Sequence, residues 1–288
     1  MQKLIYYLSP ILKVGLFLLF IILCRLPFEL IQNFKFISFP VSPVFSEVIF
    51  QATLVLSVLG ALLMIFQTFK TINFARVFVV KKNMVSAFLK GSLIGFLLIV
   101  CCAIFALLNG NVVFSVGSIT PIAWIGYLLF FIAVAVFEEL TFRSYPLFIF
   151  AERYPLFFAV LMNGILFGLA HLANPNFNGL AMLNITLAGS LFALLVLQPR
   201  NISWAIGFHF AWNFTQGILL GYKVSGIDAA GLLKATPVGS VYLSGGNFGM
   251  EGSLFCTVIL LAGIIFFALR RPIHPIEHPI FDEEIAAT

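Results

Sequence analysis

Charge is what this sequence has least of. Only 9% of its 288 residues are Asp, Glu, Lys or Arg, where a soluble domain carries about 25%. Hydrophobic residues make up 61%, 35 of them phenylalanine. Such a chain has too little polar surface to face water, which excludes a soluble globular protein, a disordered one and a nucleic-acid reader. Cysteine is also scarce. Cys24, Cys101, Cys102 and Cys256 show no CxxC and no Cys/His spacing, so neither a disulfide framework nor a zinc finger is expected, and the adjacent Cys101 and Cys102 read as helix packing. Several catalytic signatures are missing as well. There is no HExxH, no GxSxG, no GxGD and no GxxxxGK[ST] lysine, so the usual zinc, serine, aspartyl and phosphate-loop chemistries have no local motif.

What is present is apolar sequence in runs long enough to cross a bilayer, which takes about 17–25 residues each. Eight candidate spans occur, near 11–28, 48–69, 87–107, 121–137 and beyond, 156–172, 180–197, 202–220 and 254–269. Breaks such as NPNFNG at 174–179 and QPRN at 198–201 separate them. The fold class is therefore all-α, a polytopic membrane protein of about eight helices. The first span follows a basic start at Lys3 and Lys13 with no small-residue cleavage site, so it is expected to stay attached.

Lys and Arg collect in cytoplasmic loops. With both termini inside, twelve of the sixteen cations fall on the cytoplasmic side, and only Arg25, Lys35, Lys223 and Lys234 fall outside. The expected location is the cell membrane. In the tail, His274 and His278 are four apart, but Pro272, Pro275 and Pro279 prevent the helix that would make them a metal face, so 270–288 is expected to be a disordered cytoplasmic extension.

A charge in the middle of a span costs roughly 2.5–3.5 kcal/mol even on the mild insertion scale, so each one needs a reason. Four ionisable groups in apolar context stand out: Glu138, Glu139, His171 and His209. Glu139 and Arg143 are i, i+4 neighbours and can pair, as a snorkelling ion pair at a helix end would. Glu138 has no such partner, so it is either protonated or meets donors from another helix. Gly164 and Gly168 form a small-xxx-small face close to His171 that admits another helix. His209 and Asn213 lie one turn apart on one face of the seventh span. Each of these is ordinary alone. Together, on three spans, they are the parts of an amide hydrolase: a base for water, a proton shuttle and donors for an oxyanion.

Depth supports a shared cavity if the fourth helix runs unbroken to about Phe150. Glu138 then lies roughly 18 Å from its cytoplasmic end, His171 roughly 24 Å along the fifth helix and His209 roughly 10 Å along the seventh. Pro146 would kink that long helix.

The order EExxxR (Glu138, Glu139, Arg143), FxxxH (Phe167, His171) and HxxxN (His209, Asn213) resembles the CPBP, or Abi, family of intramembrane proteases that includes the type II CAAX prenyl endopeptidases. The resemblance spans 122–220. It implies that Glu138 with His171 activates a water, that His209 and Asn213 stabilise the oxyanion, and that Glu139, Arg143 and Phe167 support the site, Glu139 and Arg143 by orienting the base. It also implies no metal and no cofactor. The glycine-rich stretch 243–252 looks like the lead into the last helix of bacterial members. On this reading the chain divides into N-terminal helices (1–120), a catalytic core (121–220), an external loop with the last helix (221–269) and the tail. The expected partners are a hydrophobic or lipidated peptide substrate and membrane lipid, not nucleic acid, with the substrate reaching the site from the cytoplasm or laterally from lipid. Three other readings stay open: a zinc protease using the same Glu and His residues, a proton-coupled transporter, and a noncatalytic scaffold or immunity protein.

Overall fold

A computed structural model describes residues 2–33, 42–79 and 81–270, with the isolated residues 273 and 276. His274, His278 and Lys35 lie outside the described residues. The expected apolar segments are all helical: α1 (Gln2–Asn33), α2 (Pro43–Thr68), α3 (Met84–Leu108), α4 (Pro121–Arg143), α5 (Tyr145–Arg153), α6 (Leu156–Ala170), α7 (Gly179–Leu197), α8 (Ser203–Phe214), the short α9 (Val241–Ser244) and α10 (Leu254–Arg270). A two-stranded antiparallel sheet of β1 (Val112–Val116) and β2 (Leu233–Pro237) is added at one end.

Helix starts are set locally. Pro43 and Pro121 sit in the first turns of α2 and α4, where a missing N–H costs nothing, and Thr120 caps α4 by accepting from the Ala123 N–H. Asn178 caps α7 by accepting from the Leu180 and Ala181 amides. Large apolar side chains such as Leu12, Leu93 and Leu269 point outward, as expected of helices solvated by lipid.

Among the described residues, five helical stretches have the length and composition of a full membrane crossing: Ile5–Ile31, Pro43–Thr68, Met84–Leu108, Pro121–Arg153 and Gly179–Leu197. The all-α polytopic membrane fold holds, but eight full crossings do not follow. At 15 residues α6 is shorter than the 17–25 that a crossing takes, α10 at 17 is at the lower limit, and the 12 residues of α8 are continued by a five-residue π-helical turn at Thr215–Leu219.

The fourth span also departs from expectation. Instead of one unbroken helix to Phe150, α4 stops at Arg143 and α5 begins at Tyr145. Pro146 lacks the N–H that would bond to the Phe142 carbonyl, and its ring excludes that carbonyl, so the helix cannot continue through it. The Ser144 hydroxyl turns back to the Leu140 carbonyl at the break.

Close helix contacts are built on glycine. On the α3/α8 seam, a Cβ at Gly91 would meet the Trp204 carbonyl and one at Gly207 the Phe88 carbonyl. On the α6/α7 seam, Gly164 sits against Thr186 and Ser190, as the small-residue face predicted.

Candidate active site

Three helices converge on a cavity of about 780 Å³ lined by Glu138, His171, His209 and Asn213. Glu138 and Glu139 come from the last turns of α4, His171 is the residue that ends α6, and His209 and Asn213 lie on the buried α8.

Two imidazoles face Glu138. Its Oε2 is 3.8 Å from His171 Nε2 and 3.8 Å from His209 Nε2, and it has no hydrogen-bond partner among the described residues. Both rings are oriented from behind. His171 Nδ1 is 2.8 Å from the Phe167 carbonyl, and His209 Nδ1 is 2.9 Å from Glu139 Oε1. A carbonyl only accepts, so His171 carries its proton on Nδ1. A carboxylate likewise takes the Nδ1 proton of His209. In the neutral rings both Nε2 atoms are then bare and turned toward Glu138.

Glu139 and Arg143 form the expected i, i+4 pair, with Arg143 Nη1 donating to Glu139 Oε1 at 3.3 Å. It does not snorkel. Both side chains are fully buried, because Arg143 Nη2 also donates to the Gly189 carbonyl at 3.2 Å and its guanidinium lies 4.1 Å from the Phe167 ring centre. Glu139 contacts His209 as well as Arg143 and makes no hydrogen bond to Glu138 among the described residues, since neighbouring residues on a helix point about 100° apart and of the two carboxyls only Glu138 lines the cavity. Phe167 is the common wall, in ring contact with His171 at 4.7 Å and His209 at 6.0 Å. Phe192 stacks on His209 at 5.2 Å. The Asn213 side chain lines the cavity one turn beyond His209 and makes no hydrogen bond within the described residues.

One acidic residue escaped the sequence reading. Glu251, in the turn before α10, lines the same cavity. Its Oε2 accepts from the Ser225 N–H at 2.6 Å and hydroxyl at 3.0 Å, and its backbone carbonyl accepts from Asn184 of α7 at 2.7 Å. Asn174 donates to the Ser225 carbonyl at 3.1 Å. These bonds tie the 171–178, 221–232 and 245–253 loops over the mouth of the cavity. Burial pushes the Glu251 carboxyl up, and the Ser225 bonds offset this only in part. Its lone position in the stretch 243–252 was the available signal. Among the described residues, no three His, Cys, Asp or Glu are arranged to hold a metal ion.

A helical membrane protein with a carboxylate, two oriented imidazoles and an amide around one cavity has the parts that an intramembrane hydrolase needs. Residues 119–215, about a third of the chain and all of the motif positions, match the family model described as Type II CAAX prenyl endopeptidase Rce1-like. The segment therefore carries a domain of that description, whose family is one of CAAX-type peptide hydrolases. No curated protein and no solved structure matches it.

Proposed function

We propose that this intramembrane endopeptidase cleaves a hydrophobic or lipidated peptide segment with Glu138 and His171 as the water-activating pair and His209 and Asn213 as the oxyanion donors. The observation that carries the reading is the pair of 3.8 Å separations at Glu138. Each is too long for a direct hydrogen bond, yet an oxygen held about 2.8 Å from both partners fits between them. A water so held loses its proton to the carboxylate as it attacks the scissile carbonyl, and His171, its Nε2 bare, relays a proton toward the departing amine. The tetrahedral oxygen then accepts from the Asn213 amide and from His209, whose Nε2 takes up a proton from bulk water before the substrate binds and whose imidazolium is held by the Glu139 carboxylate. The apolar walls, including Phe130, Phe137 and Phe142, suit a lipid chain or an apolar peptide segment.

The test compares membrane and secreted peptides from cells expressing wild type, Glu138→Ala, His171→Ala and Asn213→Ala at matched levels. New fragments that need Glu138 and His171 establish the roles and name the bond. Fragments that persist in both variants overturn them.

A further inference from the structure

The two ends of the helix bundle differ in charge and in access. At one end α2, α5, α7 and α10 finish and α3, α6 and α8 begin, and this end carries Lys70, Arg76, Lys82, Arg153, Arg200 and Arg270. At the other end α2, α4, α7 and α10 begin. Its described cations are Arg25, Lys223 and Lys234, and two of the three are paired, Arg25 with Glu29 at 2.6 Å and Lys223 with Asp228 at 2.9 Å.

The cavity opens at this second end. Its rim is formed by Glu47 and Gln51 from the first turns of α2, Tyr127 from the first half of α4, and Ile227 and Asp228 of the loop after α8. Asp228 is 82% exposed on its side chain. Toward the cation-rich end the cavity stops at Thr141 and Phe142. Beyond them, every residue from Tyr145 to Ala151 of α5 is buried. The helix break at Ser144 thus seats a closed floor beneath Glu138, and none of the six cations named above touches the cavity.

Lys and Arg mark the cytoplasmic end of a membrane protein. We propose that the cavity receives its substrate from the non-cytoplasmic face, so that the scissile bond lies in the exported or outward-facing part of a hydrophobic peptide. This replaces the cytoplasmic access expected from the sequence. It rests on the proteolytic reading for the word substrate, but the direction of opening is measurable without catalysis.

Asp228→Cys at the rim and Lys70→Cys at the opposite end, each in the full chain, are exposed to a membrane-impermeant maleimide in intact cells, with the parent's own cysteines as baseline. Neither residue belongs to the catalytic set. Labelling of Asp228→Cys in intact cells, and of Lys70→Cys only after permeabilisation, is expected. The reverse pattern overturns the proposal, as does a set of Glu138-dependent fragments that all come from cytoplasmic segments. Each variant is also labelled in a Glu138→Ala background. Outward labelling with no Glu138-dependent cleavage would refute the protease roles and leave the orientation standing, whereas inward labelling with intact cleavage would refute the orientation alone.

Discussion

The buried Glu139–Arg143 pair can be tested by a double-mutant cycle in which Glu139→Gln and Arg143→Met are made singly and together. Both side chains are fully buried, and among the described residues the ion-pair partner of Arg143 is Glu139, at 3.3 Å. Removing one partner of a buried pair leaves an uncompensated charge and costs about 3–5 kcal/mol, whereas replacing both by neutral groups of similar size is often close to neutral. Arg143→Met strands Glu139 with only the His209 proton, and Glu139→Gln strands the guanidinium between Gly189 and the Phe167 face. Each single change should therefore cost about 3–5 kcal/mol, and the double change should cost less than either single one, so that the costs fail to add. The assay is reversible unfolding in mixed micelles followed by helix content. Costs that simply add would refute the pairing. Cleavage supplies a second readout that stability does not move. His209 loses its carboxylate in both Glu139→Gln and the double variant, so activity should fall on the order of 10²–10⁴-fold in each, as when a carboxylate that holds a catalytic imidazole is neutralised. Recovery of stability in the double variant without recovery of rate separates positioning from folding.

Asn213→Ala should lower kcat about 10²–10³-fold with KM little changed, the signature of a lost oxyanion donor; an unchanged kcat would remove Asn213 from that role. Gly207→Ala drives a methyl into the Phe88 carbonyl across the α3/α8 seam and should cost about 1–3 kcal/mol in the same unfolding assay, against no loss if the seam can part freely. Burial raises the Glu251 carboxyl in the folded protein, so the unfolded chain ionises first as pH climbs. Stability should decline from the unfolded carboxylate pKa up to the raised folded one and then level off. Glu251→Gln removes that decline, so its stability relative to wild type should improve across this pH window, and a trend of opposite sign would refute the assignment. Exhaustive chelation of the purified protein should leave cleavage unchanged, while a loss restored by added zinc would favour the metal reading.

The parts of the site that sequence made legible are those fixed by spacing within one helix. Glu139 and Arg143 meet because residues four apart share a helix face, and His209 and Asn213 line one cavity for the same reason. Gly164 admits α7 because nothing projects from it. What sequence left open are relations between helices. Which of two adjacent carboxyls faces the cavity depends on the angle at which α4 meets α8, so the sequence shows the Arg143 partner of Glu139 but not its second partner, His209. Glu251 lies 80 residues beyond His171 on a glycine-rich turn that carries no periodicity. It is held at the cavity by Ser225 and Asn184, which come from two other segments.

The helix break at Ser144 shows how a local covalent fact reaches function. Pro146 withdraws one N–H and blocks one carbonyl, which is enough to end α4 just after Arg143. Had the helix run straight, Tyr145, Leu147 and Phe148 would be distributed around its circumference, some of them facing lipid. In the restarted α5 all three are buried, Tyr145 against Phe17 of α1 and Phe148 against Phe78, and none of them lines the cavity. Above the break, Glu139 and Arg143 are fully buried and their charges are held by one another rather than by solvent. Glu139 in turn holds His209 at Nδ1, which leaves the Nε2 of that ring directed toward Glu138 in the cavity. On the proposed orientation the side of entry therefore follows from Pro146, whereas the orientation of the two imidazoles follows from the Phe167 carbonyl and Glu139.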